Sequence, residues 1–161
     1  MVEKHEISGV DHNREVEKTK LGDKHEAISD YTESIRLNPN DADAYYDRGI
    51  AKSALGDKQG AIADYNEAIR LDPDFAAAYN NRGLAKDYLG DKEGAITDYN
   101  KAIRFNPNYA NAYLNRGLIK KERGQKQKAL ADFRRAAELY QQQGKTELYN
   151  DSLDRIRELG G

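Results

Sequence analysis

The chain has no cysteine and no tryptophan, one methionine, and three prolines among its 161 residues. Without cysteine there is no disulfide framework, no thiolate metal site and no cysteine nucleophile. That absence fits a reducing, cytoplasmic setting. No apolar run approaches the ~18 residues that a membrane-spanning helix requires, so no membrane insertion is expected. The stretch from Met1 to Val10 is charged and lacks an apolar core, so it does not read as a secretory signal. A surplus of one charge is missing too. The 26 Lys and Arg against 28 Asp and Glu leave a formal −2, no net field to draw in nucleic acid or anionic lipid. Hydrophobic residues make up 38% and mean hydropathy is −0.98, both low for a compact domain. With 34% charged residues disorder is the alternative, but the apolar residues recur at fixed places.

The scarce prolines disclose the organisation. Pro39, Pro73 and Pro107 are spaced by 34 residues. Around them the text repeats: the run from Asp64 to Pro73 (DYNEAIRLDP) is answered by that from Asp98 to Pro107 (DYNKAIRFNP). A fixed period of this length marks a solenoid, in which one supersecondary unit stacks on copies of itself around a thin, continuous core. The units are residues 8–41, 42–75, 76–109 and 110–143, with an extension at 1–7 and a tail at 144–161.

Each unit reads as two helices. In the third, the first helix starts near Ala76 and ends at Gly90-Asp91, where glycine takes the left-handed position after a helix and Asp91 caps the next. Gly22-Asp23 and Gly56-Asp57 repeat the device, Asp23 with Glu26 forms a capping-box pattern, and Gly124-Gln125 is a weaker cap. The second helix runs from about Lys92 to Phe105, with Ala95, Tyr99, Ala102 and Ile103 on one stripe. It ends at Asn106-Pro107, because a residue before proline is pushed out of the helical region. Small residues recur where helices approach: Gly49, Gly83 and Gly117, then Ala61, Ala95 and Ala129. Tyr31, Tyr65, Tyr99 and Phe133 fill the space beside them. In the fourth unit Tyr140-Gln141 replaces the proline, so that helix extends to Gln143. A last helix over 146–159, with Leu148, Ser152, Leu153, Ile156 and Leu159 on one face, reads as the terminal cap.

The order aromatic, Gly, Ala, aromatic, Ala, Pro at this period resembles the tetratricopeptide repeat in its bacterial, often cyanobacterial, form. The resemblance covers residues 8–143 and implies an all-α helix-hairpin solenoid curved into a right-handed superhelix, with a C-terminal capping helix. The first unit departs from it, with Asp11 and Glu15 where its siblings have Tyr and Gly. That helix is either a polar end cap or frayed.

The resemblance also implies peptide binding along the inner face of the superhelix. On a helical wheel Ala77, Asn81, Leu84 and Tyr88 share one arc, opposite Tyr79 and Gly83. Repeated along the array, this gives an amide column, Asn13, Asp47, Asn81 and Asn115, and an apolar column, Val16, Ile50, Leu84 and Leu118, deepened by Tyr46, Leu114 and Tyr88. An Asn amide offers donor and acceptor to an extended backbone, and the aliphatic strip meets apolar side chains. Plain packing between neighbouring helices would leave the same columns. Family members that hold chaperone tails use basic residues plus Asn. The matching places here are His12, Val16, Asp47, Ala77 and Asn81, or Tyr46, Ile50, Asn81, Asn111 and Asn115. The cations a carboxylate requires are missing, which argues against a chaperone-tail receptor.

Two further constellations stand out. Arg14, Arg48, Arg82 and Arg116 recur with the lysines four later, and Asp30, Asp64, Asp98 and Asp132 recur in the second helices. The arrangement suits bidentate Arg–Asp clamps between helices better than a stripe for RNA. His5, His12 and His25 sit near acids at the start of the chain; they read as solvated residues, not a convergent metal site. No phosphate loop or nucleophile–base arrangement is present, so neither cofactor nor catalysis is expected. The reading is a non-catalytic protein-interaction scaffold and assembly adaptor with a protein or peptide partner, monomeric or weakly self-associating. Its rivals are a self-associating oligomeric scaffold and a regulatory appendage of a larger enzyme.

Overall fold

A computed structural model describes residues 23–160. Among them there are eight helices and no strand: α1 Lys24–Leu37, α2 Ala42–Ala54, α3 Lys58–Leu71, α4 Ala76–Tyr88, α5 Lys92–Phe105, α6 Ala110–Glu122, α7 Lys126–Gln142 and α8 Thr146–Glu158. Each helix packs on the next in sequence. The hairpins α2/α3, α4/α5 and α6/α7 are three full units; α1 is the second helix of the unit before, and α8 closes the far end. The helices α2, α4 and α6 begin at the same register, at Ala42, Ala76 and Ala110, because the loops between units share an Asx turn. The amide N–H of Asp74 donates to the Asp72 carboxylate at 3.1 Å, and that of Asn108 to the Asn106 side chain at 3.1 Å.

The corners within a unit are built as the sequence implies. Gly56 and Gly90 have φ of 91° and 89°, a region closed to side chains bearing a Cβ. Asp57 then accepts from Gly60 N–H at 2.8 Å and Asp91 from Gly94 N–H at 2.9 Å. The carboxylate lies so close over the glycine that a Cβ there would meet it at 2.1 Å in both corners. In α1 the same place holds Glu26, and the Asp23 cap bond lengthens to 3.2 Å. Gln125 makes no side-chain cap bond to α7.

Hairpins close by letting an aromatic ring lie on a glycine. A Cβ on Gly83 would sit 2.8 Å from the Tyr99 ring, one on Gly49 2.6 Å from Tyr65, and one on Gly117 2.7 Å from Phe133. These rings are fully buried, and burial of each contributes about 2–3 kcal/mol. Across them run the clamps. Arg82 donates from Nε and Nη2 to Asp98 at 2.9 and 2.6 Å, and Lys86 reaches the same carboxylate at 2.8 Å. The third arm, Nη1, donates to Asn66 of the preceding unit at 2.7 Å. Arg116 with Asp132, Lys120 and Asn100 repeats this, as does Arg48 with Asp64, Lys52 and Thr32. One arginine thus joins three helices of two units. Asp30 is engaged as well, but the matching Arg14 lies outside the described residues.

The cap differs from its expected face. Tyr149, Ile156 and Leu159 of α8 pack on the core around Phe133, Leu139 and Tyr140, and Ser152 is buried, donating to the Leu148 carbonyl at 2.8 Å. Leu148 itself is turned outward. The helix starts at Thr146 as expected, but it docks with the larger Tyr149 against the core, which turns the adjacent Leu148 outward.

Candidate functional site

The first helices of successive units touch: α2 meets α4 and α4 meets α6, with no comparable contact from α3 to α5 or α5 to α7. The stack therefore bends toward the α2–α4–α6 layer, which forms its inner side. On α4, Ala78, Tyr79, Asn80, Gly83 and Ala85 are buried. Ala77 and Asn81 are half-buried, and Leu84 and Tyr88 are exposed at 44% and 74%. The open stripe is the one the wheel assigns. Its counterparts are Asp43, Asp47, Ile50 and Ala54 on α2, and Asn111, Asn115, Leu118 and Glu122 on α6.

Asn13 of the expected amide column, and Val16 and His12, fall outside the described residues. Of the rest, Asp47, Asn81, Asn115, Ile50 and Leu118 lie half-buried on the inner layer. Leu114 does not deepen the strip. It is 9% exposed and belongs to the core with Phe133 and Tyr140, because its place in the repeat points between units. Tyr46 occupies the same place in α2 and is likewise turned inward. Its ring lies 4.7 Å from Phe75 and 6.0 Å from Tyr65, leaving its hydroxyl as the part nearest the stripe. Tyr88 is exposed with Lys58 Nζ 5.0 Å from its ring centre, a cation–π contact.

The residue that sequence reasoning missed is Asn80, the third member of the Tyr46/Leu114 place. Only 2% exposed, it donates to Asn81 Oδ1 at 3.1 Å and accepts from Asn115 Nδ2 at 3.1 Å. Asn81 Nδ2 in turn donates to the Tyr46 hydroxyl at 3.0 Å. The amides are thus one relay, Asn115 to Asn80 to Asn81 to Tyr46, crossing three units. Chains of this kind reinforce each other in a low-dielectric setting. The signal in the sequence was an Asn-Asn pair, Asn80-Asn81, at a place filled by Tyr and Leu in the sister units.

Burial pushes the Tyr46 hydroxyl well above its ordinary pKa, helped by Tyr109, Asp47 and Asp43. It stays protonated and can both accept from Asn81 and donate outward. The cations of the inner layer are committed elsewhere. Arg48 and Lys52 serve Asp64, Arg82 and Lys86 serve Asp98, Arg116 and Lys120 serve Asp132, and Lys121 pairs with Glu158 at 2.6 Å. No group of residues able to hold a metal ion occurs among the described residues; His5 and His12 lie outside them. No described helix is long and apolar enough to cross a membrane.

Family models described as TPR repeat match residues 17–56, 54–86 and 88–124, and one described as Tetratricopeptide repeat matches 110–146. The chain therefore belongs to the tetratricopeptide repeat family, a family of protein-interaction scaffolds. No curated protein matches it. Among solved structures it is similar to the crystal structure of MamA, with 29% identity, 86% of this chain and 81% of that one covered, and a TM-score of 0.78. It is similar to the Arabidopsis OM64 TPR domain, with 28% identity, 74% and 98% covered, and a TM-score of 0.72. It is also similar to the first TPR of Spaghetti (RPAP3) bound to the HSP90 peptide SRMEEVD, with 26% identity, 73% and 93% covered, and a TM-score of 0.70.

Proposed function

We propose that the inner face of α2, α4 and α6 holds an extended segment of a partner protein, and that the chain works without catalysis as an adaptor in assembling a larger complex. The observation that carries this is the pair Leu84 and Tyr88, large apolar side chains left exposed at 44% and 74% beside a row of fixed amides. A partner's apolar side chain would cover them. Asn115 donates its Nδ2 inward to Asn80, which turns its Oδ1 toward an incoming N–H. At the other end, the Tyr46 O–H remains as a donor for a peptide carbonyl. Ile50 and Leu118 extend the apolar strip on either side.

The similar Spaghetti domain is bound to SRMEEVD, a peptide rich in carboxylates. With the cations of α2, α4 and α6 committed to Asp64, Asp98, Asp132 and Glu158, the groove has none to offer such a tail among the described residues. SRMEEVD is expected to show no binding by fluorescence anisotropy at concentrations up to about 1 mM, a ΔG° weaker than about −4 kcal/mol. The direct test is affinity capture from native lysate with the wild type, with Asn81→Ala/Asn115→Ala, and with the outer-face control Lys101→Ala. A partner retained by wild type and control but lost by the double variant supports the groove. Retention of every partner by the double variant contradicts it.

A further inference from the structure

Resting on the groove reading above, we infer that its occupant is an uncharged, proline-containing segment in the polyproline II conformation, with an apolar side chain at every third residue. The spacing of the apolar column and the direction of the amide hydrogen bonds lead there independently.

Ile50, Leu84 and Leu118 hold the same place in α2, α4 and α6, and these helices touch in succession. Packed helices lie about 8–10 Å apart, so the apolar column repeats at about that distance. An extended strand covers it in about three residues, at ~3.3 Å each. Three is odd and the side chains of a strand alternate. A strand that seats one side chain on Ile50 therefore points its next one away from the groove at Leu84. A polyproline II helix has three residues per turn and rises ~3.1 Å per residue. It returns a side chain to the same side every ~9.3 Å, in step with the column across α2, α4 and α6.

The hydrogen bonds of the floor use up its oxygens. The side-chain oxygen of Asn80 accepts from Asn115, that of Asn81 from Asn80, and that of Asn111 from the Tyr140 hydroxyl at 2.5 Å. On the stripe of α4 and α6 this leaves Asn115 Oδ1 as the open amide acceptor. Donors remain on the Tyr46 hydroxyl, which itself accepts from Asn81, and on the side-chain nitrogens of Asn111 and Asn115. A floor richer in donors than acceptors is matched by a backbone with carbonyls to offer and few N–H groups. Proline supplies that backbone. It has no N–H, and its fixed φ lies close to the polyproline II value. The carbonyls of such a helix make no internal bonds and are free to accept. The open Asn115 oxygen then meets a residue other than proline.

Charge agrees. On this stripe of α4 and α6 the charged side chain is Glu122, and Lys92 already pairs with it. A charged group of the partner seated over Asn81 and Leu84 would find no counter-ion and would lose water. The exposed Tyr88 ring beside Leu84 supplies the kind of aromatic wall on which proline-rich segments dock.

The test uses nonapeptides without charged side chains, labelled at the N-terminus and C-amidated, long enough to span about 28 Å as polyproline II. The first repeats Leu-Pro-Gln. The second has the same composition with its leucines at every second residue, and the third carries alanine for each proline. Binding to the whole chain is read by fluorescence anisotropy. The first peptide is expected to bind at least about 10-fold more tightly than either of the others. Leu84→Gln, at an exposed side chain, weakens it about 10-fold. Tyr46→Phe, which removes a donor, weakens it about 5-fold, and both variants keep the circular dichroism of the wild type. Equal or tighter binding of the second or third peptide, weakened likewise by Leu84→Gln, overturns the inference and leaves the groove reading standing. Binding of all the peptides unaltered by Leu84→Gln and Tyr46→Phe overturns both. No binding of any peptide up to about 1 mM overturns the inference, and the lysate capture described above then decides the groove reading by itself.

Discussion

The junction between the second and third units and that between the third and fourth are made from the same repeat, yet they are joined differently. At the first, Tyr46 packs on Tyr65 and Phe75, its hydroxyl receives Asn81, and Lys58 lies over Tyr88. At the second, Asn80 fills the place of Tyr46 and receives Asn115, Lys92 pairs with Glu122, and Arg123 pairs with Glu93. The first is aromatic, with a phenol receiving the amide; the second joins amide to amide inside and is ionic at its rim. The consequence shows in two equivalent tyrosines. Tyr65 at the first junction has its hydroxyl against Asn81, whereas the Tyr99 hydroxyl at the second is buried with no partner. What the repeat keeps, the Arg–Asp clamp and the glycine beneath the ring, holds the frame. What it varies decides the surface chemistry.

The largest effect should erase the contrast. Burial raises the pKa of Tyr46, Tyr65 and Tyr99, and brings Tyr140 up to about 12. The folded state holds these protons more tightly than the unfolded chain, whose tyrosines titrate near 10. Their contribution is complete below pH about 10 and is lost as pH rises from there through about 12. Both junctions should therefore melt together in that window, seen as coincident loss of helical circular dichroism and rise of tyrosinate absorbance. Next, Arg82→Leu should cost roughly 3 kcal/mol in urea unfolding, because it strips two bonds from buried Asp98 and one from Asn66. Arg116→Leu should cost about the same, since the clamp is common to both junctions. Gly83→Ala should cost about 1–3 kcal/mol by forcing the Tyr99 ring aside.

Finer substitutions sharpen the difference. Tyr46→Phe should lose about 1 kcal/mol, since Asn81 loses its acceptor. Tyr99→Phe should be neutral or stabilising, because its hydroxyl has nothing to lose. Equal losses from the two would contradict the contrast. The smallest effect belongs to the ionic rim. Glu122→Gln should cost under about 1 kcal/mol and nothing at high salt, with Tyr88→Gln at the equivalent place insensitive to salt.

The frame was legible because it is carried by residues that repeat. Spacing alone places Gly83 under Tyr99 and Arg82 across from Asp98, and the helix ends fall at Gly90 and Pro107 as expected. The open stripe of α4 was legible for the same reason, since a helical wheel fixes which side of a helix a residue occupies. What was not legible is the relation between units. Whether Leu114 faces the groove or the neighbouring helix depends on how far one hairpin rotates against the next, and periodicity is blind to that rotation. Asn80 was hidden likewise: its neighbours Asn81 and Asn115 come together only when α4 meets α6. At the tail the period itself breaks, and the phase of α8 followed Tyr149 instead of Leu148.

The account turns on which layer of the stack meets a partner, and amide chemical shifts measured while a blocked nonapeptide from a captured partner is titrated into the isotopically labelled chain decide it. The account predicts changes concentrated in α2, α4 and α6, with the side-chain amides of Asn81 and Asn115 among the largest. Changes confined to the outer faces of α3, α5 and α7, with those two amides unmoved, would contradict it.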